Sequence, residues 1–267
     1  MRYYVFVDID GTLLDNSTNR IPDSALEAIN LAKENGHKVF ICTGRSIPSV
    51  TKNFLELNID GIVASCGSHI IIDGVKEYFC PMPKKYMEPI VSYFLSNDIG
   101  FMLEGEKENY LYCANNINEV EKQLYAFMFT DGIIVPFDNF QGNYEEITKI
   151  SFFTLKKDLA DIMLSKLGSE FMSHYDNWYP GVYTGEIVYK KNTKASGIDF
   201  IINKNNHPLE KVIAIGDSLN DYEMIVHAGI GVAMGNAVSE LKEVADFITT
   251  SVDDDGLYNC FRKYKLI

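Results

Sequence analysis

The chain has 267 residues, of which 46% are hydrophobic and 23% charged, ordinary globular proportions that exclude wholesale disorder and fibrous classes. The 24 Lys and Arg stand against 37 Asp and Glu, a formal charge of −13, so phosphate backbones and anionic lipid are repelled and neither nucleic acid nor membrane is an expected partner. At ~150 residues per domain the length allows one large domain or two modest ones.

Tyr3 to Val7 is a run of β-branched and aromatic residues that reads as a buried strand ending at Asp8. Pro22-Asp23-Ser24 opens a helical pattern that Gly36 closes. Val39 to Cys42 reads as a second strand, Ile47 to Leu57 as a second helix and Gly61 to Ala64 as a third strand. This alternation predicts a parallel sheet covered by helices. The rhythm returns late: helix Ala195 to Asn203, strand Val212 to Ile215, helix Leu219 to Val226, strand Gly229 to Ala233, helix Val238 to Val244, strand Phe247 to Thr249, and a last helix from about Asp253.

The middle differs. Helical patterns at Lys84–Ser96, Asn118–Phe129 and Lys157–Leu167 mix with strand patterns at Phe101–Glu104, Tyr110–Cys113, Lys149–Leu155, Phe171–His174 and Glu186–Tyr189, which predicts an α+β domain with an antiparallel sheet. Pro81-Met82-Pro83 stiffens its entry and Thr184-Gly185 loosens its exit. The expected architecture is an α/β, Rossmann-like doubly wound core made of 1–82 and 187–267, split by an inserted α+β cap at 83–186.

Cys42, Cys66, Cys80, Cys113 and Cys260 are widely spaced, with no Cys-x-x-Cys, so neither a disulfide framework nor a structural zinc site is expected. They read as five small buried thiols in a reducing compartment. Acidic residues by position 8 argue against a secretory signal, and no apolar run approaches the ~20 residues that span a bilayer. The expected location is cytoplasmic.

Three strand ends carry side chains suited to chemistry. Asp8-Ile9-Asp10-Gly11-Thr12 closes the first strand, and ligands of open α/β sheets bind at that edge. Its two carboxylates can converge on one cation or reacting group, and an Asp can attack phosphorus. Taken alone, an acidic turn explains the segment equally well. Thr43-Gly44-Arg45 closes the second strand, where a hydroxyl and free N–H groups can hold a phosphate oxygen; a plain turn with Thr43 as helix cap is the simpler alternative. Gly216-Asp217-Ser218-Leu219-Asn220-Asp221 supplies more carboxylates and an amide, more acid than a helix cap needs. Asn192-Thr193-Lys194 precedes a helix, where an ammonium is misplaced with respect to the dipole unless it faces an anion; a solvated lysine is the simpler alternative. Carboxylates this crowded repel one another unless a cation joins them, and oxygen-only ligands suit Mg²⁺.

DIDGT, ICTGR, the lysine of NTKASGI, and GDSLND occur in the order seen in the haloacid dehalogenase superfamily of phosphatases, and the tail GVAMGNAVSELKEVADFITTSVDDDGL resembles its Cof-like branch. The resemblance implies that Asp8 is the nucleophile and Asp10 the general acid/base. It implies that Thr43 and Lys194 bind the phosphoryl group, with Gly44 in the phosphate loop and Asn220 in support. Mg²⁺ would be held by Asp8, Asp217 and the Asp10 backbone carbonyl, with Asp221 supporting the metal's ligands or Lys194. Arg45 flanks the loop or is a surface charge. Two positions depart from the family pattern: Cys66-Gly67-Ser68 stands where Asn-Gly-Ala is frequent, and Ala195 where Gly is common.

The activity implied is Mg²⁺-dependent hydrolysis of a small phosphorylated metabolite, a sugar phosphate among the candidates, through an aspartyl-phosphate. A phosphomutase or other phosphotransferase, and a non-catalytic regulatory protein of the same fold, are the alternatives. Cap segment His174-Tyr175-Asp176-Asn177-Trp178 could contact a sugar or be a packed turn. His69, His207 and His227 show no partner in the sequence.

Overall fold

A computed structural model describes residues 2–115, 133–179 and 182–267, with side chains described outside 174–181. The chain divides into two compact units. One comprises Met1–Gly44, Glu56–Phe79 and Thr193–Ile267; the other comprises Arg45–Leu55 and Cys80–Asn192. The predicted helix Asn118–Phe129 and the side chains of His174 to Trp178 lie outside the described residues.

The first unit is built on an eight-stranded sheet. In spatial order its strands are Phe247–Ile248, Ile230–Ala233, Val212–Gly216, Tyr4–Val7, Lys38–Cys42, Gly61–Ala64, His69–Ile72 and Val75–Phe79. The first six run parallel. Strand Tyr4–Val7 is central and fully buried, as its unbroken apolar run requires. Phe6 stacks on Phe40 of the next strand with ring centroids 4.9 Å apart. From this centre the chain winds outward twice, once through Lys38–Cys42 and Gly61–Ala64, and once through Val212–Gly216 and beyond. The order therefore reverses between Tyr4–Val7 and Val212–Gly216, and the carboxyl ends of those neighbours form the crevice in which open α/β sheets bind ligands.

Two expectations need correction here. The sheet is not wholly parallel: His69–Ile72 and Val75–Phe79 form an antiparallel hairpin at one edge. Its turn is Asp73-Gly74, with φ of 49° and 76°, the two left-handed residues that a tight hairpin demands. The helix expected over Ile47 to Leu57 is instead a 3₁₀ turn at Ile47–Ser49 and one α-turn at Lys52–Leu55. Pro48 withholds an N–H, and the β-branched pair Val50-Thr51 favours the extended backbone that interrupts the run.

The second unit has a six-stranded sheet in the order Phe171–Tyr179, Val182–Tyr189, Ile147–Thr154, Gly100–Gly105, Asn109–Tyr112, Ile134–Pro136. All its pairings are antiparallel except the last. Period-two alternation sends Phe101, Leu103, Ile150, Phe152 and Ile187 into a core closed by Met87, Ile90 and Phe94 of helix Lys84–Ser96 and by Ala160 and Met163 of helix Lys157–Ser165. The alternate positions Glu104, Lys149 and Ser151 are buried as well and bond to one another.

None of the five cysteines forms a disulfide, and only Cys42, Cys66 and Cys260 are buried, while Cys80 is intermediate and Cys113 exposed. His69, His207 and His227 do have partners. His227 meets Asp199 at 2.7 Å, His207 stacks on Tyr4 at 3.7 Å, and His69 meets the edge of Phe79. Among the described residues no helix is long and apolar enough to cross a membrane.

Candidate active site

Four chain segments far apart in sequence meet in the first unit around the ammonium of Lys194. Thr193 caps the helix Lys194–Lys204 by accepting from the Ser196 N–H at 3.1 Å, while the Ser196 hydroxyl accepts from the Thr193 N–H at 2.9 Å. That box fixes the helix start, so Lys194 is its first residue and is 1% exposed. Its Nζ donates to Asp8 Oδ1 at 2.7 Å, Asp221 Oδ1 at 2.5 Å and Asn220 Oδ1 at 3.0 Å. An ammonium has three protons, and these three acceptors use them all.

Asp221 also ties its own loop together. Its Oδ2 accepts the N–H groups of Asp217 at 3.0 Å and Ser218 at 3.1 Å, closing the turn after strand Val212–Gly216. Asp217 accepts from the Thr12 hydroxyl at 3.3 Å, which links the ends of strands Tyr4–Val7 and Val212–Gly216. Gly11 lies against Asp217 with φ of +80°; a Cβ there would lie 2.2 Å from Asp217 Oδ2. Only glycine meets both the backbone angle and the close approach. Asn236 donates to the Gly11 carbonyl at 2.8 Å and accepts from the Val252 N–H at 3.0 Å, so the loop after strand Ile230–Ala233 holds Gly11 in place.

Thr43 is buried at the end of the second strand. Its N–H donates to Val63 and its carbonyl accepts from Cys66 at 3.1 Å. Beside it, a Cβ on Gly44 would sit 3.3 Å from Asn220 Nδ2 and 3.6 Å from Cys66 Sγ, so this strand end adjoins the amide that bonds Lys194. Cys66, at φ 51°, and Gly67, at φ 94°, bring the third strand's loop against the start of the Lys194 helix, where a Cβ on Gly67 would strike the Thr193 carbonyl. Arg45 belongs to the other unit, where it donates to the Ser49 carbonyl at 3.2 Å and lies over the Phe54 ring.

Negative charge exceeds positive in this cluster. Burial pushes the Asp8 carboxyl well above the ordinary range, and the charges of Asp221 and Asp10 push it further, against the pull of Lys194. Burial lifts Asp217 to about 7, with Asp221 adding to the rise and Lys194 and the Thr12 hydrogen bond opposing it. Burial alone would lower Lys194, but Asp221 and Asp8 reverse this and hold it charged. Asp8, Asp217 and Asp221 each offer a carboxylate oxygen, all within 4.8 Å of one another. Hard oxygen donors with uncompensated charge suit a small divalent cation such as Mg²⁺. Asp10 is not one of that side-chain trio, but its charge reaches both Asp8 and Asp217.

The structure thus gathers Asp8, Asp217, Asp221, Lys194, Asn220, Thr43 and Gly44 into one place. Thr12, Ser218 and Asn236 also take part and were not singled out from sequence. Thr12 and Ser218 adjoin the motifs, while Asn236 lies in Gly235-Asn236 after a buried strand, a strand-end turn like the other three.

A model of the haloacid dehalogenase-like hydrolase family matches residues 5–261, and the chain belongs to that family. It is an enzyme of the phosphatase kind. The Bacillus subtilis protein YkrA, which carries a phosphatase name, is 28% identical over 271 residues covering 98% of each chain. The 5-amino-6-(5-phospho-D-ribitylamino)uracil phosphatase YitU of Bacillus subtilis is 26% identical over 268 residues, covering 98% of this chain and 97% of that one. Among solved structures, the subclass IIB sugar phosphatase BT4131 superposes with a TM-score of 0.83 at 29% identity, over 99% of this chain and 100% of the other.

Proposed function

We propose that this chain hydrolyses the phosphate monoester of a small metabolite, a sugar or sugar-alcohol phosphate in the first instance, through an aspartyl-phosphate on Asp8. The observation that carries this reading is the three-point grip of Lys194 on Asp8, Asn220 and Asp221, with the Asp217 carboxylate alongside. Such a grip fixes one Asp8 oxygen and leaves the carboxylate oriented rather than free to rotate. The names of the similar proteins, a ribitylaminouracil phosphatase and a sugar phosphatase, support the substrate class.

In the first step an Asp8 oxygen bonds to phosphorus as the bond from phosphorus to the leaving alcohol breaks, and Asp10 gives that alcohol its proton. In the second, Asp10 takes a proton from water, whose oxygen attacks phosphorus and releases Asp8 and inorganic phosphate. Lys194, the Thr43 hydroxyl and the N–H groups at the strand ends stabilise the charge on the transferring oxygens. Asp8, Asp217 and the Asp10 carbonyl would hold Mg²⁺, with Asp221 behind them. When bound, the ion supplies the positive charge that lets an anionic nucleophile approach an anionic phosphate.

Release of phosphate from p-nitrophenyl phosphate tests the reading. Turnover with Mg²⁺ that stops with a chelator and in Asp8→Asn supports it, and full activity of Asp8→Asn contradicts it. Release without any added acceptor alcohol distinguishes hydrolysis from phosphoryl transfer to another acceptor.

A further inference from the structure

The second unit contains a cavity of about 410 Å³ beside the helix Lys84–Ser96, within the ~300–1,000 Å³ range of small-molecule sites. Tyr86, Pro89 and Tyr93 project into it from one helix face, at i, i+3 and i+7, and Phe171 closes the floor, meeting Tyr86 edge-on at 5.0 Å. Both phenol hydroxyls are already engaged, Tyr86 donating to Glu170 at 3.1 Å and Tyr93 to the Leu159 carbonyl at 3.1 Å. The rings therefore present carbon, not hydroxyl, to whatever enters. Pro89 has no N–H, so the Lys85 carbonyl at the rim receives no helix donor from that position.

The two charged groups in the lining are both cationic, in a chain of net charge −13. The Lys85 ammonium lies 4.6 Å above the Tyr86 ring and the Lys166 ammonium 5.1 Å above the Tyr93 ring. Among the described residues neither is in an ion pair, whereas the neighbouring Lys84 is paired with Glu88. The Glu170 carboxylate, tied to Tyr86 and lying against Gly168, is at the wall, so two ammonium groups stand against one carboxylate there. Ring carbon from Tyr86, Tyr93 and Phe171 flanked by two ammonium groups complements a molecule with an aromatic part and a negative charge. The phosphatase chemistry uses none of these residues.

We propose that this cavity binds a small aromatic anion, its ring against Tyr86, Tyr93 and Phe171 and its carboxylate or phosphate between Lys85 and Lys166. Calorimetric titration of the full chain with indole-3-acetate and with adenosine 5′-monophosphate separates the carboxylate from the phosphate source. Saturable binding of at least one probe is expected, weakened at least tenfold in a Lys85→Glu/Lys166→Glu variant and absent for neutral indole and for succinate. Inorganic phosphate should not displace the probe, and hydrolysis of p-nitrophenyl phosphate should be unchanged in the double variant. The milder Lys85→Gln/Lys166→Gln pair, expected to weaken binding severalfold, serves if the charge reversal unfolds the chain. Binding unaltered by either pair, displacement by inorganic phosphate, or no saturation with either probe would overturn the assignment.

Discussion

Each unit buries a lysine between two carboxylates, and the two clusters differ in what surrounds them. In the first unit Lys194 sits between Asp8 and Asp221 at 2.7 and 2.5 Å, with Asp217 and Asp10 adding further negative charge around Asp8 and Asp221. In the second, Lys149 lies between Glu186 and Glu104 at 2.6 and 3.1 Å, Ser151 donates to Glu104, and the Glu186 side chain is 29% exposed. Glu104 and Lys149 face each other across neighbouring strands, so their pairing serves the register of the sheet. Asp8 and Asp217 instead end parallel strands, where the backbone stops pairing and side chains meet in a crevice. A buried ion pair in mid-sheet holds a fold together, whereas one with excess charge at strand ends is poised for a further charged partner.

The sharpest way to break this contrast is by substitution within the charged cluster. Asp8→Asn removes the attacking oxygen's charge and should lower kcat by at least about a thousandfold; loss of less than tenfold in steady-state turnover would remove Asp8 from its role. Lys194→Met and Lys149→Met should each cost about 3–5 kcal/mol in urea unfolding, because each leaves buried carboxylates unpaired. Only Lys194→Met should also abolish turnover; equal activity losses per folded molecule would erase the distinction between the clusters. Gly11→Ala forces a Cβ against Asp217 at a backbone angle that alanine resists, so kcat should fall and the Mg²⁺ concentration for half-maximal rate should rise by roughly tenfold. No change in either would show that the Gly11–Asp217 approach is dispensable.

The smallest effect concerns pH. Without metal, Asp217 keeps its proton up to about 7 in the fold, while the unfolded carboxyl loses it near 3.9. Between these values the folded chain binds more protons, so this group's contribution makes stability fall as pH rises. Asp8, raised in the same direction, adds to that trend. Mg²⁺ must displace the Asp217 proton, so its affinity, and the rise in Tm it produces, should grow from pH 5 to pH 8. Thermal melts at both values, with and without the ion, check this; a larger rise at pH 5 would contradict it.

Much of the candidate site was legible because three motifs sit at strands' carboxyl ends, a place readable from an apolar run followed by Asp, Thr or Gly. Asp8, Thr43 and Asp217 follow from that rule, and Lys194, at a helix start, from the family's motif order. Asn236 did not, since a Gly-Asn turn has no charge to betray it and its task is to hold Gly11. The parallel core followed from strand–helix alternation, but the Asp73-Gly74 hairpin was passed over although both of its residues favour the left-handed backbone. The break at Pro48 was masked by apolar spacing that suits a helix, with β-branched Val50 and Thr51 deciding otherwise. The Glu104–Lys149–Glu186 cluster lay beyond reach, because only strand register brings those three residues together.

The central claim is that phosphate passes through Asp8. Asp10→Asn should still accept phosphate from p-nitrophenyl phosphate, whose leaving group needs no proton, and should release it slowly. Acid quench of that variant with Mg²⁺, followed by peptide mass analysis, should find the phosphoryl group on the peptide containing Asp8. A phosphoryl group on any other residue, or turnover by the variant with the Asp8 peptide unmodified at every quench time, would contradict the account.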